Sequence, residues 1–189
     1  MTEEKTLIHQ NILTMFQYRG YTDIDDDSPE YITAVSSSGQ TVYAFKEIFG
    51  NLHTKNFNEI IAVLNELDPS ESKHGIIVYT GTSTPQVNKA TLPTAKDVNI
   101  RVEMFQHLDL LYLCVHHCLV PPHRKLTPED AKSFREKYST QIGGKVKLKI
   151  PLMFSSDAIA KFYDFRPGDI IQIDRKNELP GFRLVVKKN

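Results

Sequence analysis

The chain has 189 residues, of which 40% are hydrophobic and 24% charged, so it is long enough for one large or two small globular domains. No apolar run approaches the ~20 residues that a transmembrane helix needs, and the acidic start is unlike a signal peptide, which predicts an intracellular protein. Two cysteines, Cys114 and Cys118, are too few and too close for the disulfide framework of a secreted protein, and they indicate a reducing compartment.

The formal net charge is zero because two oppositely charged halves cancel. Residues 1–115 carry 8 basic and 15 acidic side chains, a net charge of −7, whereas residues 116–189 carry 15 and 8, a net charge of +7. The asymmetry predicts two modules that meet at His116. Two interpretations stay open here: the basic module sits against an acidic partner or nucleic acid, or both modules simply have solvated faces.

The first half reads as alternating helices and strands, which implies an α/β layer. The periodicity and turn signals predict, in chain order, an amphipathic helix over Lys5–Arg19, an acidic loop over Tyr21–Pro29, a hairpin of Tyr31–Val35 and Thr41–Phe49, a helix over Asn51–Leu67 closed by Asp68-Pro69, and a buried strand over Gly75–Tyr79.

The acidic loop contains three adjacent carboxylates, Asp25, Asp26 and Asp27, followed by Glu30. They lack the alternating spacing of a calcium loop, so a solvated turn is favoured over a cation site. The alternative that stays open is a nuclease-like enzyme that uses these four carboxylates with a divalent metal.

A Gly/Thr/Ser loop follows the strand Gly75–Tyr79. Thr84 is a good helix N-cap and Pro85 suits the first helical position, so a helix is predicted to start here. Exposed amides, hydroxyl groups and Lys89 suit a phosphate, but an ordinary capped helix explains the same residues, and the Gly-Lys-Ser/Thr pattern of a nucleotide-binding loop is absent.

The middle of the chain is apolar and rich in histidine. Arg101–Gln106 reads as a short helix or a strand end, and Leu108–Val115 as the strand that leaves the first domain. Cys114, Cys118 and the histidines 116, 117 and 123 offer zinc ligands, but ligands that adjoin on one strand cannot close a tetrahedron, so no metal site is predicted.

The second half contains a helix, a basic strand and a helix–turn–hairpin unit. Thr127 should cap a helix over Leu126–Tyr138, with Asp130 closing a capping box. Lys145, Lys147 and Lys149 alternate on a strand face that suits nucleic acid, an acidic partner, or solvent at a sheet edge. From Ser155 to Arg175 we expect a short helix capped by Ser155 or Ser156, a turn at Arg166–Asp169 and a β-branched strand, which pairs with Phe182–Val186.

Four segments of this half carry a family pattern in the family's order. They are His116–His123, Leu126–Glu129, Asp157–Phe162 and Gly168–Ile173. In these segments the chain resembles the fifth-largest common subunit of eukaryotic nuclear RNA polymerases and the archaeal counterpart of that subunit. Gly75–Tyr79 followed by Thr84-Pro85 is similar to the same family's N-terminal domain, whereas residues 1–74 match only in the order of their elements.

The resemblance implies an α/β jaw domain over residues 1–115, with an inactive core like that of restriction endonucleases, and a small α+β assembly domain over residues 116–189. It implies a non-catalytic subunit that docks on the largest subunit and contacts other polymerase subunits. It also implies that the subunit binds no cofactor or metal, contacts no membrane and does not form a homo-oligomer. The residues implied to lie near downstream duplex DNA, with non-specific contacts, are Thr82, Ser83, Thr84, Pro85 and Lys89. Those implied to dock on the largest subunit are His116, His117, Arg166, Gly168, Asp169, Gln172, Arg175 and Glu178.

The chain also departs from the family pattern. Ala158 stands where relatives have Pro, Asp164 where they have Gly, and Leu152 where they have Arg, and the hairpin loop at 177–181 is shortened. Asp164 is still expected to adopt a left-handed conformation. With these departures the chain looks more like a version encoded by a large DNA virus than like a core cellular subunit. A viral version implies a location in the virus factory or virion, and a cellular version implies the nucleus. A free adaptor that binds an acidic peptide through Lys145, Lys147 and Lys149 is the remaining alternative.

Overall fold

The computed structural model describes residues 2–67, 73–90, 100–142, 145–176 and 178–187, with side chains described except at 2, 89, 90 and 140–147. It divides into two compact units, Met1–Leu113 and Cys114–Asn189, called unit 1 and unit 2 below. Within the described ranges, no helix is both long enough and apolar enough to cross a membrane. The predicted helix end at Asp68-Pro69 lies outside the described residues.

Unit 1 is built on a five-stranded mixed sheet of order β1-β2-β3-β4-β5. Strand β1 pairs antiparallel with β2 and β2 with β3, whereas β3, β4 and β5 are parallel neighbours. The elements are α1 (Thr2–Tyr18), β1 (Thr22–Asp25), β2 (Tyr31–Val35), β3 (Thr41–Phe49), α2 (Thr54–Leu67), β4 (Lys73–Tyr79), α3 (Pro85–Ala90), β5 (Ile100–Gln106) and α4 (His107–Leu111).

The two long helices cover opposite faces of this sheet. The predicted stripe of α1 is buried, and Ile8 and Ile12 lie near Ile32 and Val78 on one face. The buried residues of α2, Phe57, Ile60 and Leu64, join a cluster with alternate residues of β3, β4 and β5 on the other face. The α/β prediction for unit 1 is therefore confirmed, and likeness to a restriction-endonuclease core stays a prediction.

Unit 2 contains a four-stranded sheet of order β6-β10-β11-β9 and a separate hairpin, β7-β8. Strand β10 lies antiparallel to β6 and β11, and β9 runs parallel to β11. The elements are a 3₁₀ turn (Cys114–His116), β6 (His123–Lys125), α5 (Pro128–Tyr138), β7 (Ser139–Ile142), β8 (Lys145–Leu148), β9 (Leu152–Phe154), α6 (Ala158–Phe162), β10 (Ile170–Ile173) and β11 (Gly181–Val186).

Apolar clusters cover both faces of the unit 2 sheet. Ile171, Val185 and Met153 pack with Ile159 and Phe165 on one face. Ile170 packs with Leu126 and Ala131 on the other, next to Phe134 and Phe182. The predicted helix–turn–hairpin unit is confirmed: α6 is followed by a turn, and β10 pairs with β11 residue by residue from Ile170–Leu184 to Ile173–Gly181.

Three predictions about local structure are wrong. The acidic loop contains an edge strand, β1, which is exposed and charged as edge strands often are. The run from Leu108 to Val115 forms α4 and a 3₁₀ turn instead of a strand, with Leu110 buried while Leu108 and Tyr112, four residues apart, are exposed. The cap of α6 is Asp157, whose carboxylate accepts from Ile159 N at 2.9 Å, because Ser155 is still bonded to β11 through Val186 O.

The left-handed conformation predicted for Asp164 is present, with φ at 57°. Its main-chain N–H donates to Lys161 O, and the next residue, Phe165, donates to Ala160 O. These are the bonds expected where a left-handed residue ends a helix. The neighbouring turn uses Gly168 at φ 99°, a conformation that favours glycine.

The start of α5 offers a direct test of local stability. The Thr127 hydroxyl accepts from Asp130 N at 3.1 Å, as predicted. Thr127→Ala should lower the free energy of unfolding of unit 2 by about 1 kcal/mol, because Asp130 N loses its partner. Urea unfolding measures the loss, and Thr127→Ser, which keeps the oxygen, is the control. Equal stability of the alanine and serine variants would contradict this role of the cap.

Candidate functional site

The turn before β10 holds three of the predicted docking residues close together. The Asp169 carboxylate accepts from Arg166 N at 2.8 Å and lies 3.0 Å from Lys125 Nζ. Gly168 O accepts from the Arg135 guanidinium at 2.6 Å. Because Arg166 and Gly168 are exposed, this turn presents a charged surface whose backbone is fixed from within.

The other predicted docking residues of this sheet are Gln172 on β10 and Arg175 and Glu178 in the hairpin that follows it. Gln172 Oε1 accepts from Arg124 at 2.8 Å, and Gln172 Nε2 donates to Asp174 at 2.6 Å. Arg175 and Glu178 are exposed at the hairpin, with 3.8 Å between Arg175 NH1 and Glu178 Oε2. The structure thus separates the predicted docking residues into two groups, one at each end of β10, with Gln172 between them.

Sequence reasoning missed the basic residues that support these groups. These residues lie on β6 and α5, more than thirty positions before the residues they contact; they are Arg124, Lys125 and Arg135. Arg124 precedes Gln172 by 48 positions, and Arg135 precedes Gly168 by 33. The signal available in the sequence was the +7 charge of this half, which gives the sign of the surface and no pairing.

His116 and His117 lie apart from the β10 groups in sequence, at and just after the 3₁₀ turn, and both are exposed. His117 Nδ1 accepts from Leu119 N at 3.2 Å. His123 is half-buried and its Nδ1 donates to Pro121 O at 2.7 Å; burial lowers its pKa, although this hydrogen bond acts in the opposite direction. Among the described residues, no three histidine, cysteine or carboxylate side chains are grouped to hold a metal.

The predicted DNA-proximal loop is tied to the end of β3. Asn51 Oδ1 accepts from both the main-chain N–H and the hydroxyl of Thr82, at 2.9 and 3.2 Å. Ser83 Oγ donates to Asn88 Oδ1 at 2.7 Å, and Thr84 N donates to Leu52 O. The loop is therefore ordered and its donors are largely used internally. Pro85 is exposed, and the Lys89 side chain lies outside the described residues.

One carboxylate of the acidic segment, Asp26, is engaged by two side chains from elsewhere in unit 1. The Asp26 carboxylate lies 2.8 Å from Lys46 Nζ and 2.8 Å from His9 Nε2. Partial burial alone would raise the pKa of Asp26, but the hydrogen bonds and charges of Lys46 and His9 outweigh it and lower the pKa. Asp25 Oδ1 accepts from Asp27 N instead of facing a common centre with Asp26.

A buried ionic cluster in unit 1 was also missed. Glu103 accepts both arms of the Arg19 guanidinium at 3.0 and 2.9 Å, and its Oε1 lies 2.6 Å from His74 Nε2. The Arg19 and His74 side chains are 1% and 2% exposed. Burial would raise the pKa of Glu103, but the charge of Arg19 and the hydrogen bond from His74 hold it well below its usual range.

The basic strand predicted over Lys145–Ile150 is present as β8, Lys145–Leu148, which ends one residue before Lys149. The side chains of Lys145 and Lys147 lie outside the described residues, and Lys149 is exposed.

Comparisons with known proteins agree with the sequence resemblance. Residues 113–185 match the family model described as RNA polymerase Rpb5, C-terminal domain. The chain is 28% identical over 180 residues to the putative DNA-directed RNA polymerase subunit 454R of Invertebrate iridescent virus 6, which covers 90% of this chain and 94% of the relative. It is 24% identical over 194 residues to DNA-directed RNA polymerases I, II, and III subunit rpabc1 of Dictyostelium discoideum, with 95% of each chain covered.

A shorter archaeal relative is more similar over a smaller region. DNA-directed RNA polymerase subunit Rpo5 of Pyrococcus abyssi is 37% identical over 75 residues, which make up 38% of this chain and 85% of the relative.

Proposed function

This chain belongs to the Rpb5 and Rpo5 family of DNA-directed RNA polymerase subunits, and we propose that its unit 2 anchors it on the largest subunit while its unit 1 forms a jaw beside downstream DNA. As a polymerase subunit it acts in transcription. The observation that carries the anchoring role is the coincidence of the family match, 113–185, with the compact unit Cys114–Asn189.

The charged groups at the two ends of β10 support this docking role. Arg166, Arg175 and Glu178 are exposed, and the backbone of the turn that carries Arg166 is held by Asp169 and Arg135. A surface that is already ordered loses little conformational entropy when a partner covers it. We assign His116 and His117 to the same anchoring role because they stand at the family's positions.

The jaw role of unit 1 rests on the family resemblance and on the ordered loop at 82–85. Its main-chain donors are used internally, as Thr82 N and Thr84 N illustrate, and unit 1 is acidic. Contacts with the DNA backbone would therefore be few and independent of sequence, which suits a duplex that must slide.

We propose that the subunit is non-catalytic, and Asp26 supports this proposal. A nuclease that used the acidic segment would need its carboxylates for a metal, whereas the Asp26 carboxylate is engaged by Lys46 and His9. The subunit would work wherever its polymerase transcribes, in the nucleus of a cell or in a virus factory or virion.

Affinity purification tests the anchoring role. A tagged chain, expressed with its polymerase, should recover the largest subunit, and Arg166→Glu/Arg175→Glu should reduce recovery about tenfold or more because both ends of the surface reverse charge. Lys132→Glu, which changes an exposed lysine of α5 in the same unit, is the matched control. Recovery equal to wild type for the double variant would overturn this docking surface.

Photo-crosslinking tests the jaw role separately. A photoreactive residue at position 82 should cross-link downstream duplex DNA in an assembled transcription complex. The same residue at position 38 should not, because the 36–40 turn lies at the other end of β3, about 30 Å along the strand. Cross-links from neither position, in a complex that retains the chain, would reject the jaw role and leave the anchoring role standing.

A further inference from the structure

The edge strand β9 presents an exposed apolar pair. Leu152 and Phe154 are 54% and 51% exposed, although Met153 between them is 4% exposed and belongs to the core. Alternate residues of a strand point to opposite faces, so Leu152 and Phe154 lie on the same face of the sheet. Their partners on β11 are Leu184 and Val186, which extend the apolar surface toward the middle of the sheet.

The same strand leaves its outer backbone edge available. Leu184 N donates to Pro151 O at 3.0 Å and Ser155 N donates to Val186 O at 2.8 Å, so the backbone groups of 151, 153 and 155 face β11. Those of Leu152 and the N–H of Phe154 consequently face outward. Within the described ranges, the sheet order ends at β9 and no strand pairs with this edge.

An exposed apolar edge strand of this kind is a template for another strand, and proteins usually protect such edges with charge, proline or a covering element. Here Pro151 precedes the strand, but the two residues whose backbone groups face outward, Leu152 and Phe154, carry large apolar side chains. We infer that β9 is a second docking site, at which an extended segment of another polymerase subunit adds as a fifth strand to the sheet of unit 2.

The charges around β9 define the chemistry of that segment. Exposed Lys149 precedes the strand and exposed Lys187 follows Val186, the partner of Phe154, and residues 116–189 carry a net charge of +7. The carboxylate of the nearby Asp157 is used as the cap of α6. The segment should therefore carry apolar side chains at alternate positions, facing Leu152 and Phe154, and acidic residues beside them.

This inference rests on the proposed docking function but uses a surface distinct from the turn and hairpin of β10. Leu152→Glu/Phe154→Glu should reduce recovery of the polymerase by the tagged chain about tenfold or more, because it removes the apolar contact and repels an acidic segment. Leu152→Ile/Phe154→Tyr keeps the apolar surface and should retain recovery. Thermal unfolding of both variants controls for the fold, which should tolerate changes at two exposed positions.

Hydrogen exchange provides a readout that does not depend on mutation. The amides of residues 152 and 154 should exchange at least about tenfold more slowly in the assembled polymerase than in the free chain, because added-strand hydrogen bonds protect them. Unchanged exchange at these amides, or full recovery of the glutamate variant, overturns the second site while leaving the first intact. Failure of the unsubstituted chain to recover any polymerase subunit would reject the docking function itself. A dimer of the free chain that the glutamate variant dissociates would show that the edge pairs with a second copy, which also overturns the inference.

Discussion

Glu103→Ala is expected to lower the free energy of unfolding of unit 1 by about 3–5 kcal/mol, because it removes the carboxylate that both arms of the buried Arg19 guanidinium contact. Arg19 is 1% exposed and has both arms on Glu103, and His74, at 2%, has Nε2 2.6 Å from the same carboxylate. Glu103→Gln, which keeps the size of the side chain and one acceptor oxygen but not the charge, should show most of the same loss.

The chain contains no tryptophan, so urea unfolding is best followed by circular dichroism and by hydrogen exchange in β4 and β5. Glu59→Ala is the matched control, because Glu59 pairs with Lys55 at 4.0 Å on an exposed helix surface and should change stability by less than about 1 kcal/mol. A loss for Glu103→Ala no larger than that of the control would show that the buried cluster does not hold unit 1 together.

The same carboxylate should make unit 1 sensitive to acid. Its pKa in the folded chain lies well below the usual range, despite burial, because of Arg19 and His74. A carboxylate with a depressed folded pKa contributes stability above its unfolded pKa, about 4.3, and that contribution is lost as the pH falls toward the folded value. The stability difference between wild type and Glu103→Gln should therefore narrow below about pH 4.3, and a difference that widens there would contradict the assignment.

Ile171→Ala should lower the free energy of unfolding of unit 2 by about 2–5 kcal/mol. Ile171 is fully buried in the central strand β10, between β6 and β11, and packs with Phe165, Val185 and Met153. The cavity left by the missing atoms would lie where rigid strands meet, so it cannot collapse easily. Ile171→Val, which removes one methylene, should cost about 0.5–1.5 kcal/mol.

Since β10 carries the proposed docking groups at its two ends, this variant links stability to assembly. Near the unfolding midpoint of unit 2, Ile171→Ala should lose recovery of the polymerase, whereas Leu179→Ala, at an 89% exposed hairpin position, should change stability within about 0.5 kcal/mol. Urea unfolding and affinity purification at matched temperatures measure both effects. Full recovery by Ile171→Ala under conditions that unfold it would contradict docking through this sheet.

The sequence predicted best those elements whose local signals agree. The cap, proline and periodicity at Thr127 define α5, and the β-branched run after Gly168 defines β10. It failed for Leu108–Val115, because an apolar run of eight residues suits a strand and a buried helix equally well. The prediction for the polar edge strand β1 was wrong for the opposite reason, because its charged residues are typical of a loop.

The site residues likewise divide into those that can be recognised from near neighbours in the sequence and those that cannot. The family positions on the β10 turn and hairpin are recognisable because they are close in sequence, and the structure brings Arg166 to Asp169 and Arg175 to Glu178 as short-range contacts. Arg19 and Glu103 are 84 positions apart and His74 and Glu103 are 29 apart, and their only sequence signal is a charged residue within an apolar strand.

The sequence by itself determined the order of most helices and strands, the opposite charges of the two halves and the family, because these depend on residues that are near neighbours or on composition. Only the tertiary structure decided which charges are buried as partners, that Asp26 is neutralised by Lys46, and that Leu152 and Phe154 stand exposed on an unpaired edge of the described sheet. Alternation along a strand says which side chains share a face. Whether that face is covered depends on elements that the chain brings there from far away in sequence.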